Sequence, residues 1–255
     1  MDSCEIINFV CWKWDAGVHP KKKLKFSARH VNIMSAMLKK YMHDPFRLHC
    51  VTDDPEGISP EINIVPLWND LSDMGGCYRR LKMFSSEMRD IIGPYLVSID
   101  LDCCLVGDIT PLFRDRPDFK ILKGTNKFCK YSGALWMMKA GSRAFVWDRF
   151  NKNAARNWSY IRRGKFVGTD QAYLSHVLKN EETWEHAEDG IYNFRDFLKR
   201  KRDLRTGSRY LPGNARIVLF NGLFDPSQAG IRAHYRWVLK AWKKRPLSVE
   251  RFKRD

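Results

Sequence analysis

The chain has 255 residues, 44% apolar and 13% aromatic, enough to bury one sizeable core as a single α/β domain. There is no run of roughly 18 apolar residues to span a membrane, the start Met1-Asp2-Ser3-Cys4-Glu5 lacks the basic opening of a secretion signal, and 7 scattered cysteines without a C-x-x-C pair exclude a disulfide framework and a structural zinc site. A cytoplasmic protein with reduced thiols is expected, and its net charge of +16, concentrated in residues 195–255 with 17 Lys/Arg against 5 Asp/Glu, points to a polyanionic partner.

In chain order, residues 6–11 form an apolar run that predicts a buried first strand. Lys21, Lys22 and Lys23 mark a loop. Ser27 is placed to cap a helix whose apolar face is Val31, Met34, Leu38 and Tyr41. A second strand is expected over 46–51, ending in the turn-rich stretch 52–57, and a third over 62–65. An amphipathic helix is expected over 78–89 with Leu81, Phe84 and Met88 inward. Residues 95–99 are a buried strand that runs straight into Asp100-Leu101-Asp102. Further strands are expected at 134–138 and 217–220, and helices at 142–150, 170–178 and 229–245. In the last of these Ile231, Tyr235, Val238, Leu239 and Trp242 form the apolar face. Alternating strands and helices of these lengths predict a mainly parallel sheet covered on both faces, with ligands at the carboxyl ends of its strands.

Asp100 and Asp102 are therefore placed where chemistry is expected. Alternate residues on an extended backbone point the same way. Two neighbouring carboxylates repel unless a cation lies between them, and hard oxygen ligands suit Mg²⁺ or Mn²⁺ with positions left for substrate phosphates. The pair alone leaves other roles open, such as capping a helix or pairing with Arg.

The segment 97–113, Val-Ser-Ile-Asp-Leu-Asp-Cys-Cys-Leu-Val-Gly-Asp-Ile-Thr-Pro-Leu-Phe, resembles the metal-binding stretch of GT-A glycosyltransferases of the glycogenin and lipopolysaccharide-galactosyltransferase group, and of small bacterial and viral enzymes related to it. Five further stretches agree in order: 30–34 with 46–57, then 78–82, 132–135, 168–171 and 211–222. The resemblance covers most of residues 6–226. It implies a single Rossmann-like GT-A domain over 1–228 with a basic helix and tail, 229–255, packed on it. It also implies a cytoplasmic enzyme (in the host's cytoplasm, if viral) that transfers a hexose from a UDP-sugar to an acceptor hydroxyl with Mn²⁺ or Mg²⁺ and retains anomeric configuration. Asp100 and Asp102 would hold the metal and Asp170 and Gln171 would align the sugar. Asp100, Ser132, Gly133 and Gly222 would line the donor, with Arg80 and Lys82 on the diphosphate. Relatives have His before the final glycine as third metal ligand and Lys three residues after it. Here those positions are Asn221, whose amide oxygen can still ligate a hard cation, and Asp225, which cannot bind phosphate.

Several residues carry a second reading. Asp170 is also favoured at a helix N-terminus behind Thr169. Thr52-Asp53-Asp54 suits either the nucleoside or an Asx-type turn, and Asp108 suits a cap on 109–111 better than a metal. Trp12 and Trp14 suit a stacked base or the core. The basic stretch Arg195, Lys199, Arg200, Lys201, Arg202, Arg205 and Arg209, with the cationic face of the last helix, would form a platform for a DNA or an anionic glycolipid acceptor. Two other functions remain open: a metal-dependent nuclease or phosphate-ester enzyme using the same carboxylates, and a nucleic-acid-binding module whose enzymatic site has decayed.

Overall fold

The computed structural model describes residues 6–15, 26–71, 73–74, 76–126, 129–156, 169–199 and 210–243. The lysine loop at 21–23, Gly168, the cationic residues from Arg200 to Arg209 and the tail 244–255 lie outside the described residues.

In chain order the strands are β1 Ile7–Lys13, β2 Phe46–Thr52, β3 Asn63–Pro66, β4 Tyr95–Ile99, β5 Cys103–Leu105, β6 Phe119–Asn126, β7 Cys129–Lys139, β8 Glu182–Trp184, β9 Ile191–Asn193 and β10 Ile217–Leu219. Seven form one sheet in the order β3-β2-β1-β4-β7-β6-β8, and β5-β10-β9 form a second. The first four strands of the large sheet are mutually parallel; β7 runs antiparallel to both β4 and β6. The expected mixed, mainly parallel α/β sheet is what the chain builds. After β1 the chain winds outward through β2 and β3, then returns to place β4 on the other side of β1. The crevice at such a reversal of strand order is where open α/β sheets bind ligands.

Alternation along the strands divides the core in two. Ile7, Phe9 and Cys11 face helix α1, Ala28–Tyr41, whose Val31, Met34 and Leu38 are buried as the helical spacing predicted. Val10 and Trp12 face the opposite side, with Leu81, Phe84, Met88, Trp136 and Tyr173. Among the described residues no helix is long and apolar enough to cross a membrane.

Three expectations need correction. Residues 78–89 are not one amphipathic helix but a 3-10 segment, Tyr78–Phe84, followed by a single α turn, α2 Met88–Ile91. Ser85 is extended (φ −60°, ψ 144°) and its hydroxyl accepts the Glu87 N–H at 3.3 Å. A serine that offers the backbone a local hydrogen bond competes with helix continuation. The helix expected over 142–150 is only α3 Phe145–Asp148; it is followed by α4 Lys152–Arg156 and α5 Asp170–Val177, then α6 Phe194–Lys199.

The last amphipathic helix is likewise two, α7 Ala229–His234 and α8 Arg236–Ala241, broken at an extended Tyr235 (φ −111°, ψ 95°). Residues two apart on a continuous helix point to different faces, yet Tyr235 packs on Phe194 at 5.0 Å and Trp237 on Phe197 at 5.6 Å. The break lets both enter one core, and Leu239, expected inside, is 39% exposed.

Candidate functional site

β4 delivers Asp100 to the crevice. The Asp100 N–H donates to the Ala134 carbonyl at 3.1 Å, extending the β4–β7 pairing by one residue. On its other side β7 loses register with β6: Ile121 pairs Trp136, but the next residue, Leu122, pairs Ser132. Such irregularities re-aim side chains, and this one places Ser132, Gly133 and Ala134 beside Asp100. The N–H of Phe220, just after β10, donates to the Asp102 carbonyl at 2.8 Å, which brings Asn221 and Gly222 alongside the aspartate pair. Three separate stretches thus meet at the end of β4.

Beneath them lies Arg80. Its Nη1 is 2.7 Å from Asp100 Oδ1 and 3.6 Å from Asp170 Oδ2, and donates to the Gly133 carbonyl at 3.4 Å. Its guanidinium also stands over the rings of Trp12 and Trp14. Burial opposes the charge on Arg80, but Asp100, Cys77, Asp170 and Asp102 outweigh it and raise its pKa. For Asp170, only 4% exposed, burial prevails over the attraction of Arg80 and raises the carboxyl above its ordinary value. Asp170 Oδ1 accepts the N–H of Gln171 at 2.9 Å at the start of α5, and Thr169 makes no side-chain cap there. Gly133 packs on this carboxylate: a Cβ at 133 would lie 2.7 Å from Asp170 Oδ2.

The donors the sequence offers for a hard cation are two carboxylates, Asp100 and Asp102, and the amide of Asn221. Among the described residues no group of three or more His, Cys, Asp or Glu is arranged to hold a metal ion. That amide is oriented. Its Nδ2 donates to Asn193 Oδ1 at 2.6 Å, which turns its oxygen away from Asn193. Arg80 pairs with Asp100 through Oδ1, and a carboxylate can accept a guanidinium and ligate a cation together. Oxygen donors of this kind suit a hard cation such as Mg²⁺ or Mn²⁺. Cys103 and Cys104, next in sequence, are not part of the set; burial pushes both thiols well above their ordinary range.

The two cations expected on a diphosphate are occupied otherwise. Arg80 serves the carboxylates, and Lys82 is held by Asp70 and Glu87, each at 2.7 Å. Asp225 is wholly buried, with its Oδ1 3.5 Å from His30 Nε2 and accepting the Ser227 N–H at 2.7 Å. Burial pushes that carboxyl up, but His30 and Ser227 hold it below its ordinary value. Asp108 accepts the Thr110 N–H at 2.9 Å, as a turn cap. Thr52 and Asp54 close a local turn, and Lys13 pairs with Asp54 at 2.8 Å. Trp12 is core, donating to the Ser98 hydroxyl at 2.9 Å.

The sequence reading gave no role to Asn193 and put Arg195 on an acceptor platform. Both stand at the β9–α6 junction against the 221–222 turn: Asn193 bonds Asn221, and a Cβ at Gly222, whose φ is +79°, would collide with the Arg195 guanidinium. Their contacts span about thirty residues, and nothing local signals them.

No protein-family profile and no curated protein matches the sequence. Solved structures do match the fold. The galactosyltransferase LgtC, in complex with donor and acceptor sugar analogues, superposes with a TM-score of 0.58 at 12% identity over 94% of this chain and 98% of LgtC. An active-site mutant of LgtC gives 0.60 at 11% identity with the same coverage. The apo-form glycosyltransferase GlyE of Streptococcus pneumoniae gives 0.60 at 10%, covering 93% of this chain and 61% of GlyE. With its seven-stranded mixed sheet and the crevice beside β4, the chain has the fold of the GT-A glycosyltransferases.

Proposed function

We propose that this protein is a divalent-metal-dependent glycosyltransferase that moves a hexose from a UDP-sugar to an acceptor hydroxyl with retention of configuration. The observation that carries the reading is the meeting of Asp100, Asp102, Asn221 and Asp170 at the strand-order reversal, in a fold that LgtC and GlyE share. Asp100, Asp102 and Asn221 would hold Mn²⁺ or Mg²⁺, which when bound neutralises charge on a departing diphosphate.

The chain's own residues do the rest. Arg80 keeps Asp100 and Asp170 apart in charge and fixed in place. Gly133, with no side chain, lets the Asp170 carboxylate lie against β7 beside Arg80. Asp170 and Gln171, on the first turn of α5, meet the sugar hydroxyls and orient C1. In the transfer, the bond from C1 to the diphosphate oxygen breaks and C1 bonds to the acceptor oxygen. The acceptor's proton passes to the oxygen that leaves, so charge and atoms balance as UDP is released.

Purified protein with Mn²⁺ should release UDP from a UDP-hexose, faster with acceptor. Asp102→Ala should reduce this by about a thousandfold, the scale of removing a charge-stabilising group from a catalytic site. Equal release by the variant, or none from any nucleotide sugar, would contradict the proposal.

A further inference from the structure

A nucleoside diphosphate bound beside Asp100, Asp102 and Asp170 brings negative charge to a place that already holds three carboxylates. One cation between the aspartates and the diphosphate leaves the outer phosphate oxygens uncompensated. Neither expected side chain stands ready for them, since Arg80 is 2.7 Å from Asp100 and Lys82 is shared by Asp70 and Glu87. Asp225, three residues past Gly222, is negative and buried.

Arg195 is differently placed. β9 runs parallel to β10 with Asn193 opposite Leu219, so the junction into α6 advances beside residues 220–222. Asn193 is buried and holds the Asn221 amide, and Arg195, two residues on, lays its guanidinium over the Cα of Gly222. Among the described residues no carboxylate forms an ion pair with it, and its side chain is exposed at the rim. A planar guanidinium presents paired N–H donors that match two oxygens of a pyrophosphate.

From this we infer that Arg195 contacts the diphosphate of the nucleotide donor and supplies the positive charge that Asp225 cannot and that Arg80 and Lys82 spend elsewhere. The inference rests on the glycosyltransferase reading.

The test is calorimetric titration of UDP and of uridine, with Mn²⁺ present, into the full chain and its Arg195→Gln and Arg195→Lys variants. The Gln variant should lose UDP affinity by about tenfold or more, the scale of a hydrogen bond to a charged group. The Lys variant should recover part of that loss, and uridine affinity should be equal in all three. Melting temperatures within about 2 °C of each other would exclude a folding defect, as expected for an exposed side chain. Equal UDP affinity in the wild type and the Gln variant overturns the role of Arg195 and leaves the donor site intact. An equal loss for uridine also overturns it, because Arg195 would then shape the nucleoside pocket. No UDP binding by the wild type contradicts the glycosyltransferase reading itself.

Discussion

Arg80 is the residue on which the site's electrostatics turn. It is 8% exposed, and it is the counterion for both Asp100 and Asp170. Breaking a buried pair leaves charge without compensation, so Arg80→Met should cost about 3–5 kcal/mol at pH 7 in urea denaturation. The cost should shrink toward pH 5, because the orphaned carboxyls then take up protons in the fold at a pH where the unfolded chain keeps them ionised. A loss that does not change with pH would show that Arg80 acts by packing alone. Gly133→Ala should be milder, about 1–3 kcal/mol from overpacking, but UDP release should drop at least about tenfold as the Asp170 carboxylate shifts. Full activity in that variant would remove Asp170 from the donor site. At this scale the place of the aspartates, straight after β4, was legible because strand, turn and spacing are all local. Arg80 was legible only as a cation near the site. Its partners come from β4, β7 and α5, and no sequence interval ties them together.

Strands read better than helices. β1, β2 and β4 fall within a residue or two of their expected bounds, because a buried apolar run of that length has few other uses. β5, β6, β8 and β9 were not anticipated; β6 mixes lysines with its apolar residues, and the other three are three residues long. Helical spacing failed where a segment buries more than one face. In Tyr78–Phe84 the buried residues are Tyr78, Arg80, Leu81, Met83 and Phe84, more than a single helical stripe. In the C-terminal pair the break at Tyr235 serves Trp237, which is 9% exposed among Phe194, Phe197 and Phe220. Trp237→Ala should therefore destabilise by about 3–5 kcal/mol, and a change below about 1 kcal/mol in urea titration would mean that α8 is only loosely docked. On β2, burial and the nearby Arg47 lower the His49 imidazole from 6.5 to about 4, and its Nε2 donates to Asn8 Oδ1 at 3.1 Å. The unfolded chain then binds the extra proton, so stability falls as pH drops from 6.5 toward 4, by at most about 3 kcal/mol. His49→Gln should flatten that part of the pH–stability curve, and an unchanged slope would exclude the histidine as its source.

For the whole molecule, the alternation of strands and helices was enough to anticipate a covered, mainly parallel sheet. The antiparallel β6–β7 excursion that walls the crevice was not, because its pairing depends on contacts across the sheet. That wall carries Ser132 and Gly133, and the small sheet opposite carries Asn193 and leads into Asn221. Together they flank the pair of aspartates at the end of β4. The most direct test is a crystal structure of the chain grown with UDP and Mn²⁺. The account predicts one manganese bound by Asp100, Asp102 and the Asn221 amide oxygen and bridging to the diphosphate, with Arg80 still beneath Asp100. Manganese bound elsewhere, or UDP bound away from the β4 crevice, would contradict it.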